Sequence, residues 1–121
     1  LPERSALMLL LENASGEVLL QRRPPVGIWA SLWSLPEADD HEQARQWFST
    51  HLHGDYDRAE PMAEILHSFS HYRLRMQPLF WRALAAQERV RDNDDLRWVA
   101  RGDLLSLGLP APIRKLLRDQ G

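Results

Sequence analysis

The 121-residue sequence contains no cysteine. This excludes disulfides, a cysteine nucleophile and any zinc or iron–sulfur site held by thiolates within this segment. The longest apolar run, near residues 6–11, is far shorter than the roughly 20 residues that span a bilayer. The start of the chain also lacks the basic stretch and small-residue cleavage site of a signal peptide. We therefore expect no association with a membrane.

The chain does not begin with methionine, and we interpret it as a piece of a longer protein. Its length predicts one compact domain over residues 1–121, with residues 1–4 as the remainder of an interdomain linker. This length and composition are typical of a monomer. The chain has 15 Lys and Arg against 17 Asp and Glu, so its formal net charge is -2.

A net negative charge argues against a domain that grips nucleic acid through bulk electrostatics. The average hides an uneven distribution, however. Residues 65–87 contain no acidic residue but contain Arg73, Arg75 and Arg82, whereas residues 37–64 are densely acidic. One part of the chain is therefore suited to a phosphate-bearing partner, since arginine offers a planar fork of donors.

The hydrophobic pattern predicts an α+β domain in which a mixed sheet packs between helices. A helix should begin at Asp39 or Asp40 and end at Gly54. The other predicted elements are a hairpin of strands 5–11 and 17–23 with a turn at 13–16, an extended segment 28–35, strands 62–71 and 72–81 with a bend near Ser70–His71, a loop 87–95, a strand 96–100, and two short helices of which the last spans about 112–118.

The spacing of Glu37 and Arg45 matches a family signature. It is that of the box of Nudix hydrolases, G-x5-E-x7-R-E-U-x-E-E-x-G-U, where U is a bulky apolar residue, and Trp47 then takes an apolar position. The remaining positions differ from the box: the first glycine is Ser31, the glutamate after the arginine is Gln46, the paired glutamates are Ser49 and Thr50, and the later glycine is Leu52.

The substitutions remove the chemistry of this box. Active members of the family hold divalent cations on the helix glutamates, because hard cations prefer charged oxygen ligands. Neutral hydroxyls and one amide do not replace these carboxylates, so we expect a degenerate box and no catalytic residue. The acidic loop after His51 has no fourth ordered ligand, so we expect no metal there either. The resemblance nonetheless implies a Nudix (MutT-like) fold.

Three further strings resemble one family more closely. Residues 22–37 read RRPPVGIWASLWSLPE, residues 67–71 read HSFSH, and residues 108–117 read GLPAPIRKLL. In this order they are similar to motifs of the C-terminal, Nudix-like domain of MutY-type A/G-specific adenine DNA glycosylases. Ala30 and Ser31 stand where that family usually has glycine, which predicts a looser turn.

The resemblance implies a role in DNA repair. The longer protein would remove adenine mispaired with 8-oxoguanine, and its N-terminal part would carry the catalytic residues and an iron–sulfur cluster. This domain would hold no cofactor. It would bind double-stranded DNA containing 8-oxoguanine:adenine beside the catalytic domain of the same chain, in the bacterial cytoplasm and associated with the nucleoid.

Residues 69–75 carry side chains suited to reading the lesion. Guanine presents N7 as an acceptor, whereas 8-oxoguanine presents an N7–H donor beside a new O8 acceptor. The Ser70 hydroxyl can accept and donate, Phe69 can wedge against a nucleotide, and His71 can donate to a phosphate. Together with Arg73 and Arg75, these residues form the predicted lesion-binding site.

Each residue also has a simpler interpretation. Phe69 alternates with Ile65 and His67 as a core side chain would, and Ser70 is typical of a turn. Arg22 and Arg23 are either a solvated strand end or a phosphate-facing pair. Two other functions stay open for the domain: an active Nudix nucleotide pyrophosphohydrolase that uses Glu37 with other acids, and a Nudix-derived protein-binding module.

Overall fold

A computed structural model describes residues 1–87 and 95–120. In these ranges the chain forms nine strands, three α-helices and one 3-10 helix. The strands are β1 Glu3–Asn13, β2 Val18–Arg22, β3 Trp33–Ser34, β4 Glu37–Ala38, β5 Leu52–His53, β6 Glu60–Pro61, β7 Ile65–Ser68, β8 Arg73–Ala86 and β9 Leu96–Val99. The helices are α1 His41–His51, α2 Arg101–Leu104 and α3 Ala111–Gln120, with the 3-10 helix at Tyr56–Arg58.

The centre of the sheet is a parallel pair, β1 and β8, which stay in register from Glu3 opposite Arg73 to Leu11 opposite Trp81. Strands β2 and β4 pair antiparallel with β1, while β5, β6 and β7 pair antiparallel with β8. Strands β3 and β9 extend the sheet from β2. The predicted mixed sheet is therefore confirmed.

Two hydrophobic cores cover the two faces of this sheet. The α1 face includes the odd-numbered apolar residues of β1, which pack with α1, the 3-10 helix and part of β8. The α3 face includes the even-numbered residues, which pack with α2 and α3. Because both faces are covered, residues 7–11 of β1 are all buried despite the period-2 alternation of their side chains.

Helix α1 begins as predicted and ends earlier. The Asp40 carboxylate caps it by accepting the Gln43 backbone N–H at 2.9 Å. The helix ends at His51, because Leu52 adopts an extended conformation and pairs with Ala86 of β8. The prediction that it continues to Gly54 is therefore wrong.

Other boundaries also differ from the sequence prediction. Strand β8 runs to Ala86, beyond the predicted end at 81, because it pairs with β1 and three short strands along its length. Strand β1 begins at Glu3, so two residues of the predicted linker 1–4 belong to the sheet. Most of the predicted loop 87–95 lies outside the described residues. In the part described, no helix is long and apolar enough to cross a membrane.

Candidate nucleic-acid interface

Strands β7 and β8 form a hairpin whose loop is only two residues long. The Phe69 backbone N–H donates to the Tyr72 carbonyl at 2.8 Å, which leaves Ser70 and His71 at the tip. Both tip residues are exposed, and Ser70 Oγ lies 2.7 Å from His71 Nδ1. The hydroxyl donates to this nitrogen or accepts from it, depending on the imidazole tautomer. The predicted bend at Ser70–His71 is confirmed.

Four half-buried rings support the tip of this hairpin: Trp29, His67, Phe69 and Tyr72, which we call the aromatic cluster. Ring centroids are 5.1 Å apart for Trp29 and Phe69, 4.7 Å for His67 and Phe69, and 5.0 Å for Phe69 and Tyr72. These separations are typical of favourable tilted and edge-to-face pairs. Phe69 thus lies at the centre of the cluster and partly accessible, directly behind Ser70.

Trp29 reaches the cluster from a tightly closed loop between β2 and β3. The backbone φ is 53° at Trp29 and 61° at Ser31, a region that costs an L-residue roughly 1–2 kcal/mol. The loop closes through hydrogen bonds from Ser31 N–H to the Pro24 carbonyl and from Leu32 N–H to the Trp29 carbonyl. The prediction of an extended segment over 28–35 is wrong, because only Trp33–Ser34 form a strand. Ser31 itself adopts the left-handed conformation that glycine favours.

The acid-free stretch of sequence is not an acid-free surface. Arg75 Nε donates to Glu3 at 2.7 Å, and Arg75 Nη1 donates to Glu64 at 3.1 Å. The hydrogen bond from Arg75, with its charge, lowers the pKa of the exposed Glu3 carboxyl. Arg82 lies 3.7 Å from Glu60. Two of the three arginines that the sequence presented as unopposed are therefore paired with carboxylates from other strands and loops.

Arg73 and Arg4 lack such partners in residues 1–87 and 95–120. Arg73 is half-buried at the start of β8, and its Nε is buried without a hydrogen bond in that part of the chain. The exposed Arg4 places its guanidinium 5.4 Å from the centroid of the Tyr72 ring. Sequence analysis missed Arg4 and Trp29 as members of this surface. The signal available for Trp29 was its place in the string at 22–37.

The degenerate box lies apart from the hairpin tip. Glu37, Gln46 and Thr50 line one cleft of about 340 Å³, in which Trp47 stacks on His51 with ring centroids 4.2 Å apart. Ser49 and Arg45 line a different cleft, where Arg45 Nη2 donates to Asp57 at 2.8 Å. The remaining box residue, Ser31, belongs to the loop that carries Trp29.

Glu37 is the carboxylate that remains at the box positions, and it has a partner. Its Oε1 accepts from Arg23 Nη1 at 2.6 Å, while the Arg23 guanidinium lies 5.9 Å from the centroid of Trp29. In the described ranges, no group of three His, Cys, Asp or Glu side chains is placed to hold a metal ion. Glu37 thus supports the loop beside the aromatic cluster.

The fold and the residues of this surface agree with comparisons to known proteins. Residues 7–119 match the NUDIX domain family, and the chain therefore belongs to that family. It is 24% identical over 119 residues to an adenine DNA glycosylase of Buchnera aphidicola, an alignment that covers 98% of this chain and 33% of that protein. The chain thus spans about a third of the length of this relative.

Solved structures share the fold. The C-terminal domain of mouse MUTYH, crystallised with human PCNA, matches with a TM-score of 0.74 and 18% identity, covering 94% of this chain and 84% of that one. A MutT NUDIX hydrolase from Burkholderia pseudomallei matches with a TM-score of 0.74 and 19% identity, covering 98% of both chains. The predicted Nudix fold and the resemblance to adenine DNA glycosylases are both confirmed.

Proposed function

We propose that this chain is the lesion-recognition domain of an adenine DNA glycosylase and reads 8-oxoguanine opposite mispaired adenine during base excision repair. The similarity to the Buchnera glycosylase over 98% of the chain supports the class of parent protein. The observation that carries the proposal is the hairpin tip, which presents Ser70 and His71 to solvent above the half-buried Phe69.

The chemistry of the tip fits the lesion. 8-Oxoguanine differs from guanine at its Hoogsteen edge, where N7 becomes a donor and O8 is a new acceptor. Ser70 is exposed, and its hydroxyl can accept from N7–H while its hydrogen bond with His71 fixes its direction. Phe69 lies directly behind and can pack against the neighbouring base step, as apolar wedges do in distorted duplexes.

The rigidity of the hairpin adds to this fit. A two-residue loop leaves few backbone conformations, and the rings of the aromatic cluster hold Phe69 from three sides. A reading group held in place before binding loses little conformational entropy on contact with DNA. Discrimination of roughly 1–3 kcal/mol is the expected contribution of such a contact.

In this proposal the domain has no catalytic residue of its own. Glu37 is bound by Arg23, and the other glutamate positions of the box carry an amide and two hydroxyls. Excision of adenine would therefore take place in the preceding catalytic domain of the same protein. Because this chain has no cysteine, an iron–sulfur cluster would also be held there. The partner is double-stranded DNA with an 8-oxoguanine:adenine pair, bound by a monomer.

The test uses the intact glycosylase with Phe69→Ala and Ser70→Ala combined. Adenine excision rates and DNA affinities are measured on 8-oxoguanine:adenine and guanine:adenine duplexes. The double variant should lose most of the preference between the two, while a Ser49→Ala, Thr50→Ala control in the box keeps it. Equal loss on both duplexes, or no loss, contradicts the proposal, and magnesium-dependent hydrolysis of oxidised nucleoside triphosphates would favour a hydrolase instead.

A further inference from the structure

Most arginines of this domain have an internal partner, and a few do not. In residues 1–87 and 95–120, seven arginines pair with carboxylates and Arg114 donates to two backbone carbonyls. The arginines of these ranges that have neither kind of side-chain partner are Arg4, Arg22, Arg73 and Arg97. Their charges have no counter-charge within the described chain, so an anion from outside can supply it.

Two of these arginines share one aromatic ring. The guanidinium carbons of Arg22 and Arg97 each lie 4.9 Å from the centroid of Trp33, so they are separated by at most twice that distance. Trp33 is buried, with 7% of its surface exposed, whereas both arginines are exposed. Two like charges held this close repel one another, and the repulsion falls when a phosphate binds between or beside them.

The strand register explains why the two arginines meet. Arg22 is opposite Trp33 in the pairing of β2 with β3, and Arg97 is opposite Leu20 in the pairing of β2 with β9. Paired residues point to the same side of a sheet, and both Trp33 and Leu20 belong to the core of the α3 face. Both guanidinium groups therefore lie on the α3 face, next to the loop that carries Trp29.

A row of contacts connects this pair to the hairpin. Arg23 follows Arg22 in sequence and lies over Trp29, which contacts Phe69. Phe69 contacts Tyr72, and Arg4 lies over Tyr72 at the far end. Alternating cations and rings along one face are the arrangement with which proteins follow a nucleic-acid strand.

We propose that Arg22 and Arg97, supported on Trp33, form a phosphate-binding pair that holds the DNA backbone beside the lesion-reading hairpin. This inference rests on the proposed function and adds a second point of contact, made with phosphodiesters instead of a base. Contacts of this type position a protein on DNA and carry no sequence or lesion information. The pair therefore contributes affinity, and the hairpin contributes preference.

The test measures duplex binding by the intact glycosylase carrying Arg22→Gln and Arg97→Gln, over a series of salt concentrations. Affinity for 8-oxoguanine:adenine and guanine:adenine duplexes should fall by the same factor, about tenfold at moderate salt. The slope of log affinity against log salt should decrease by roughly 2, one for each phosphate that the variant no longer neutralises. The ratio between the two duplexes should stay unchanged.

The control removes the same two charges elsewhere. Arg58 and Arg82 are exposed and paired with Asp55 and Glu60. Arg82 lies nine residues along β8 from Arg73, about 30 Å from the hairpin end of that strand. Arg58→Gln with Arg82→Gln should leave affinity and slope close to the wild-type values.

A lysine version separates charge from packing. Arg22→Lys with Arg97→Lys keeps both charges but removes the planar stack on Trp33, so a wild-type salt slope supports the inference and a reduced slope overturns it. A glutamine variant that binds like the control also overturns it. Failure of the proposed function has a different signature: the arginine variants weaken binding, yet changes at Ser70 leave the preference for 8-oxoguanine intact.

Discussion

The box cleft and the aromatic cluster use charge in opposite ways. In the box, Glu37 and Arg45 are each neutralised by a partner, Arg23 and Asp57 respectively, and the positions between them are neutral. Around the cluster, arginines lie over rings, and Arg4 has no carboxylate partner in the described ranges. A cleft that needs to hold cations would keep its carboxylates free, so the difference indicates that binding has moved to the ring-lined surface.

The two regions touch through one ion pair. Glu37 holds Arg23 at 2.6 Å, and Arg23 lies over Trp29 of the cluster. A residue at a box position thus acts as a support for the loop beside the hairpin. The comparison teaches that a retained box residue in this chain has a structural use that does not require a metal.

The largest contrast is expected from the two half-buried tryptophans. Trp29→Ala removes a ring that packs on His67 and Phe69, and Trp47→Ala removes one that stacks on His51. Each change should lower the free energy of unfolding by about 2 kcal/mol, since each removes aromatic pairs and part of the hydrophobic packing around them. Urea unfolding measures this decrease.

Only the change at Trp29 should affect function. Without its ring, Phe69 is less well supported, and the preference for 8-oxoguanine:adenine over guanine:adenine should fall several-fold in the intact protein. Trp47→Ala is the matched control, with a similar decrease in stability and an unchanged preference. If both variants lower the preference equally, the two regions do not differ in the way described.

A smaller effect is expected where the two regions touch. Glu37→Gln keeps the size of the side chain but removes the charge that holds Arg23. The pair is partly buried, with side-chain exposures of 35% and 14% for Glu37 and Arg23, so the decrease in stability should be about 1 kcal/mol. Thermal unfolding measures it.

The same variant tests the role of the box. Because the substitution releases Arg23 and removes no metal ligand, DNA affinity should stay equal or rise slightly as a cation becomes free. Adenine excision by the intact protein should retain its magnesium dependence or independence unchanged. Abolished activity in Glu37→Gln would show that this carboxylate performs chemistry and would reverse the comparison.

The sequence predicted those elements whose signals are local. The cap at Asp40, the alternation of Leu74 and Met76 in β8, and the two-residue bend at Ser70–His71 all follow from neighbouring residues. The lengths of strands were harder. Strands β4, β5 and β6 have two residues each and exist only because β1 or β8 pairs with them, which no local pattern reveals.

The candidate site divides in the same way. Its reading tip could be predicted from residues 69–71. Its charges could not, because the parallel pairing of β1 with β8 brings Glu3 to Arg75, 72 positions away in sequence. The meeting of Arg22 and Arg97 over Trp33 likewise depends on two different strand pairings. Arg73 and Arg75 remain predicted DNA contacts, and Arg75 would first have to exchange its carboxylate partners.

The central claim is that one hydroxyl at the hairpin tip reads the lesion. It is tested most directly by a double-mutant cycle in the intact glycosylase, combining Ser70→Ala with replacement of 8-oxoguanine by guanine in the duplex. Binding and single-turnover excision are measured for all four combinations. A coupling of roughly 1–3 kcal/mol, or about 5- to 150-fold, is predicted between the hydroxyl and the oxidised base. Effects that simply add, with Ser70→Ala costing the same on both duplexes, would contradict the account.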